Sequence, residues 1–272
     1  MGLGWINPED YSFNSFLLME RFQIRFMMES GGWRNNKDEW KRSMGAALNA
    51  HPAVAWYFKR RCPECTALVD EIMAGAPTLT DAAEIRKSEV YALISVEDFT
   101  IYTTTEKMAA NCDFIRGWNK ERLFALADLT GKTVLDVGAG SGRLAFAAAE
   151  KAAWVYASEP VGTLREFMRE KIKREGIKNV RVLDGLVTEL PFPDGTFDVV
   201  MSGHVLGDDW AKEIAELTRV CKSGGWLIDC RGDSERDMKP SPELTSRGWE
   251  EIYYVGSFGK DVYNHRKQAR KR

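Results

Sequence analysis

The chain has 272 residues, 44% of them hydrophobic and 29% charged, with a formal net charge of −2. That composition excludes a disordered chain, and the near-neutral balance supplies no global attraction to nucleic acid or anionic membranes. Five cysteines in a chain of this length do not make a disulfide framework, and no apolar run reaches the ~20 residues of a membrane span. No N-terminal stretch has the basic-then-apolar pattern of a secretory signal, so a reducing cytoplasm is the expected compartment.

The first 110 residues read as helical. Phe16, Leu17, Met19, Phe22, Ile24, Phe26, Met27 and Met28 form a dense apolar segment. Helices are expected over Lys37–Ala50, Ala53–Arg60, Cys65–Ala74 and Asp81–Val96, punctuated by Pro52, Pro63 and Pro77. Residues 1–110 are read as a substrate or lid domain over the open edge of a second domain, 111–272, with Thr103-Thr104-Thr105 as the linker. Cys62-Pro63-Glu64-Cys65 is a single Cys-x-x-Cys without a second pair, so no metal site is assigned. Two structural thiols are the commoner explanation, with metal or redox use as the alternative.

From Lys132 the pattern changes to strands alternating with helices. Val134, Leu135 and Val137 make the short apolar run of a strand covered on both faces. Gly138, Gly140 and Gly142 follow, then the helix-forming run Leu144–Ala149. Strand, glycine turn and helix N-terminus together form a cofactor-binding corner. A dinucleotide fingerprint would place its third glycine at position 143, which is Arg143. The pattern is instead Asp-x-Gly-x-Gly-x-Gly, and the carboxylate of Asp136 suits a cationic ligand better than a pyrophosphate.

Further strands are expected at 153–157, 180–183, 197–201 and 226–229. Pro160 is read as lying in the first turn of the helix that Gly176 ends. The helix 210–220 precedes Ser223-Gly224-Gly225, which is read as a turn into the fifth strand. Trp249–Val255 and Val262–His265 suggest a closing antiparallel hairpin. Glu159, at the end of the second strand, can accept both hydroxyls of a ribose. An ordinary acid at a helix start is the plainer reading.

The run Val134–Gly142, with Glu159, Leu190-Pro191-Phe192 and the terminal hairpin, resembles class I S-adenosylmethionine-dependent methyltransferases, in particular the group that includes quinone-biosynthesis enzymes. The resemblance covers roughly Asn111 to the C-terminus. It implies a Rossmann-like α/β fold, a doubly wound seven-stranded, mostly parallel sheet, and S-adenosylmethionine as cofactor with S-adenosylhomocysteine as product. It places Asp136, Gly138, Ala139, Gly140 and Gly142 around the methionine part, and Glu159 and Pro160 at the ribose. Leu186 and Val187 fall at the adenine, where the group usually has a carboxylate; Asp184 is the alternative. Ser202, Gly203 and His204 fall near the methionine part and the acceptor entrance.

His204 is the candidate general base, because its ordinary pKa lies near 6.5. The plainer reading is a histidine that shapes the pocket. Asp208, Asp229 and Arg231 are expected beside it around a small-molecule acceptor. Arg116, Trp118 and Tyr102 either line the cofactor mouth or belong to the lid. The basic run His265–Arg272 is read as a solvated terminus. The alternatives are an RNA or protein methyltransferase that uses this run, or a cofactor-binding partner protein without turnover. No membrane association is expected, and no oligomeric state is indicated.

Overall fold

The computed structural model describes residues 4–31 and 36–270. Lys271 and Arg272, the end of the basic run, lie outside the described residues. The chain divides into two units, Met1–Met108 and Ala109–Arg272.

The first unit is helical: α1 (Arg21–Ser30), α2 (Lys37–Ala50), α3 (Pro52–Arg61), α4 (Thr66–Gly75), α5 (Ala82–Ser95), α6 (Glu97–Ile101) and the start of α7 (Thr105–Asn111). Its core holds Phe13, Phe16, Trp40, Met44 and Phe58, all at most 1% exposed. Phe13 and Phe16 meet edge to face at 4.9 Å. Helices α2 and α4 cross so closely that a Cβ on Gly45 would lie 2.3 Å from the Ile72 carbonyl oxygen. Thr105, assigned above to a linker, is buried and opens α7, and the division falls three residues later, within that helix.

In the second unit the elements are α8 (Glu121–Phe124), β1 (Thr133–Val137), α9 (Arg143–Ala149), β2 (Trp154–Ser158), α10 (Gly162–Glu175), β3 (Val180–Leu183), β4 (Phe197–Ser202), α11 (Trp210–Val220), β5 (Cys221–Asp229), α12 (Pro242–Thr245), β6 (Glu250–Val255) and β7 (Asp261–Gln268). They build a seven-stranded sheet in the order β3-β2-β1-β4-β5-β7-β6. The first five strands run parallel; β7 is antiparallel to β5 and β6 antiparallel to β7. Strand order reverses at β1 and β4, where an open α/β sheet leaves its crevice at the C-terminal strand ends.

Apolar side chains on these strands alternate strictly. Val134, Val155, Val180, Val199, Met201 and Ile228 face one core with α8 and α9. Leu135, Val137, Val200 and Leu227 face the other with α11. Register aligns the strand ends into one row across the sheet, Leu183–Ser158–Val137–Ser202–Asp229–His265–Glu251.

Three local expectations are corrected. Pro160 precedes the N-cap of α10, Val161, so it sets the approach to the helix rather than its first turn. Ser223-Gly224-Gly225 is not a turn before β5 but part of it. The register slips between Phe197↔Cys221 and Val199↔Trp226, and a Cβ on Gly225 would lie 2.6 Å from the Asp198 carbonyl oxygen. His265–Gln268 is not a loose terminus; it is the end of β7, with His265 fully buried and Arg266 bonded to Glu250 at 2.7 Å.

Candidate functional site

The loop after β1 is built on backbone that only glycine adopts freely. Gly138, Gly140 and Gly142 have φ of 62°, 59° and 88°. At Gly138 the space is also closed, since a Cβ there would meet Val205 Cγ2 at 2.4 Å. Gly138→Ala should therefore cost about 2–3 kcal/mol, the left-handed conformation and the clash each contributing. In urea melts, Val205→Ala in the same chain should recover the clash part. A Gly138→Ala protein as stable as its parent would refute this account of the loop.

Glu159 holds that loop in place. Its Oε2 accepts from the Gly140 N–H and its Oε1 from the Val161 N–H, both at 2.8 Å. Its backbone carbonyl accepts from Arg165 Nη1 at 2.7 Å. The carboxyl is 4% exposed, and burial pushes its pKa up to about 7 against those two N–H donors. Each carboxylate oxygen keeps a second lone pair for a ligand hydroxyl. Pro160, next in the chain, is half-buried beside it.

Asp136 lies on the α9 side of β1, 1% exposed, and neither oxygen has a hydrogen-bond partner of good geometry. Burial pushes it up to about 7, and the charge of Arg143 pulls the other way. A buried carboxyl without partners, behind a cradle of three positive-φ glycines, fits a site that completes its polar contacts with a cationic ligand. Ala139 closes the loop, its N–H donating to Ser158 O at 3.0 Å.

On the other side of β1, Gly203 follows β4. A Cβ there would meet the Cys230 carbonyl oxygen at 2.6 Å and Arg143 Nη2 at 2.8 Å. Arg143 Nη2 donates to that carbonyl at 2.9 Å, and the guanidinium stacks 4.4 Å from the Trp118 ring. Arg143 thus ties the ends of β4 and β5 to Trp118. In the sequence Arg143 stands out only as a missing glycine, and no local pattern marks a contact 87 residues away.

His204 comes next, with φ of 62°, the only non-glycine residue with positive φ among those described. Such a conformation persists where surroundings enforce it, commonly at functional sites. Its ring lies 4.8 Å from Phe114. His204 is an exposed residue, and desolvation by neighbouring groups, then the charge of Arg143, pulls its pKa below the ordinary value. It is neutral near pH 7 and retains a proton poorly, which weakens the case for a general base. Beyond it, Asp229 Oδ2 accepts from Arg231 Nε at 3.0 Å and lies 3.5 Å from His265 Nδ1. His265, sealed between Asp229 and Glu251, was missed because its basic neighbours read as a tail.

The remaining candidates divide. Leu186 is an exposed apolar side chain on the loop after β3, whereas Val187 packs into the α11-side core. Asp184 is exposed and paired with Arg165 at 3.2 Å. Ser202 is fully buried, and its carbonyl accepts from the Cys230 N–H at 2.7 Å. Asp208 is exposed, and its N–H donates to Glu213 Oε1 at 3.1 Å. Arg116 pairs with Glu235. Tyr102 belongs to the first unit, its ring 6.5 Å from Phe99. Leu190 and Phe192 are packing residues of the α11-side core.

This fold and loop define a class I S-adenosylmethionine-dependent methyltransferase domain, and residues 135–229 match the family model of the methyltransferase domain. That match lies within the second unit, and S-adenosylmethionine is the cofactor of the class it resembles. The chain is similar to demethylmenaquinone methyltransferase of Lactococcus lactis subsp. lactis, 30% identical over 158 residues, or 56% of this chain and 60% of that protein. It is 28% identical over 168 residues to the enzyme of that name from Geobacillus kaustophilus, 57% of this chain and 68% of that protein. The chain thus spans about three fifths of the L. lactis relative it matches. A solved structure from Methanococcus maripaludis, assigned as an S-adenosyl-L-methionine-dependent methyltransferase, superimposes with a TM-score of 0.50 at 17% identity. It covers 63% of this chain and 94% of its own and supports the fold. No helix among the described residues is long and apolar enough to cross a membrane.

Proposed function

We propose that this protein catalyses methyl transfer from S-adenosylmethionine to a small-molecule acceptor. A reduced, quinone-like ring is the acceptor class that the relatives' name supports. The observation that carries the reading is the Glu159 carboxylate fastened to the glycine loop through Gly140, with Gly203 and His204 at the adjoining end of β4. The cofactor supplies an electrophilic methyl group on a sulfonium. The chain's part is to bind, align and exclude water, which can supply much of the rate without a strong base.

In this reading Glu159 accepts the ribose hydroxyls, the Ala139–Gly140 backbone and Asp136 serve the amino-acid end, and Leu186 covers the adenine. Gly203 lets the ends of β4 and β5 and Arg143 approach closely at the edge of the crevice. His204, neutral near pH 7, accepts a hydrogen bond from the acceptor and orients it, with Arg231 held by Asp229 behind it. An RNA or protein acceptor has less support, because the described basic run is mostly strand β7 rather than a free arm.

Calorimetry with S-adenosylhomocysteine tests the cofactor half, and methyl-label transfer to a reduced naphthoquinone the acceptor half. A protein that binds no S-adenosylhomocysteine refutes the reading.

The site also predicts how binding depends on pH. Glu159 rises from 4.5 to about 7 on folding, so the folded state holds the proton more tightly than the unfolded chain. Its contribution to stability is therefore fully present below 4.5 and is lost as pH rises towards about 7. Ligand hydroxyls prefer the ionised carboxylate, so binding has the opposite sign and releases a proton. S-adenosylhomocysteine affinity should rise by about tenfold per pH unit up to about 7 and then level off. Titrations in buffers of different ionisation heat should show the released proton; equal affinity at all pH values contradicts this role for Glu159.

A further inference from the structure

The first unit holds a pair of thiols that cofactor binding does not use. Cys62 and Cys65 flank Pro63 and Glu64 in a single 3₁₀ turn, and the Cys65 N–H donates to Cys62 O at 3.0 Å. A turn closed in this way keeps its end Cα atoms within about 7 Å, overlapping the span a disulfide bridges. Both side chains leave the turn on the same side, with Sγ to Sγ at 3.1 Å. Among the described residues no three His, Cys, Asp or Glu side chains are grouped to hold a metal, so the pair lacks the rest of a zinc set.

We propose that Cys62 and Cys65 are a redox-modifiable dithiol that closes reversibly to an intramolecular disulfide. Both residues are buried at the edge of the helical core, Cys62 fully and Cys65 at 3% exposure. Cys62 lies beneath Arg21, whose Nε donates to Glu64 Oε1 at 2.8 Å and whose side chain is 65% exposed. An exposed ion pair of this kind is worth little, so Arg21 moves aside at small cost, while the core packing around the thiols yields only on local opening. Cys65 is the N-cap of α4, where the helix dipole offsets part of the burial that raises its pKa, so of the two it is the attacking sulfur.

The partner reagent is a low-molecular-weight disulfide. The Cys65 thiolate attacks one of its sulfurs, breaks that S–S bond and expels one small thiolate. The Cys62 thiolate then attacks Cys65 Sγ in the mixed disulfide and expels the second. The protein loses two protons and two electrons, and the reagent is reduced to two thiols. Burial raises both cysteine pKa values, Cys62 to about 12. A dithiol whose thiolates are not stabilised is a strong reductant, so the disulfide, once formed, resists reduction.

The test equilibrates the full chain in oxygen-free buffers of graded reduced and oxidised glutathione, with mild urea present to open the cover. Samples are then denatured, alkylated and peptide-mapped. The expected product is two hydrogens lighter, joins Cys62 to Cys65, leaves Cys112, Cys221 and Cys230 alkylated, and reverts with dithiothreitol. Arg21→Ala should reach the same end point several-fold faster. Five alkylated thiols in every buffer overturn the proposal, as does a lasting glutathione adduct on one cysteine or stoichiometric zinc uptake by the reduced protein. None of these outcomes depends on the methyltransferase reading, because S-adenosylhomocysteine binding is measured separately.

Discussion

Glu159→Ala should weaken S-adenosylhomocysteine binding by about a hundredfold, the value of two charge-assisted hydrogen bonds to a buried carboxylate. Two losses combine in that figure. The ribose hydroxyls lose their acceptor, and the Gly140 and Val161 N–H groups lose theirs. Glu159→Gln separates them: one amide oxygen still accepts from the loop, but the charge is gone, so affinity should fall to an intermediate value. Isothermal titration of the three proteins decides the matter. Alanine and parent binding within a factor of about two would remove Glu159 from the ribose site.

The second large effect lies under the loop between β3 and β4. Phe197 is fully buried and meets Phe192 edge-on at 4.8 Å and Tyr156 at 5.6 Å. Phe197→Ala should destabilise the second unit by about 3–5 kcal/mol through lost burial, cavity formation and lost ring contacts. Phe197→Leu should restore more than half of that. Denaturant melts followed by far-ultraviolet circular dichroism measure both. An alanine protein within about 1 kcal/mol of its parent would show that the cluster collapses to fill the gap.

That cluster explains part of what the sequence made legible. Leu190-Pro191-Phe192 was informative as a family resemblance, yet Leu190 and Phe192 act as core. The same holds for β1, β2 and β4, whose apolar runs lie close to the observed bounds because strands inside the sheet are covered on both faces. The glycine loop was legible for a different reason: three glycines in five residues have few uses other than backbone with positive φ.

What stayed hidden shares one cause, contact across long separations. Arg143 reaches the Cys230 carbonyl and the Trp118 ring, and nothing near position 143 announces either. The left-handed backbone of His204 is set by its surroundings, since histidine alone gives no reason for it. The strand ending β7 was concealed by its own composition. Arg266 lays its guanidinium 5.0 Å from the Trp226 ring and Lys267 donates to the Arg247 carbonyl, so basic residues serve as strand residues through their long stems.

Because β7 lies inside the sheet, with β6 outside it, the order of synthesis differs from the order of assembly. While a ribosome is still adding residues up to 260, β5 has no neighbour on its outer side and β6 has no strand to join. Asp229 then lacks His265, and the end of β5 that carries Arg231 is unsupported. The cofactor loop and Glu159, on strands already complete, do not wait for this step. A nascent chain can therefore shape the β1–β2 side of its crevice well before the β5 side, which is complete only when β7 is threaded between β5 and β6.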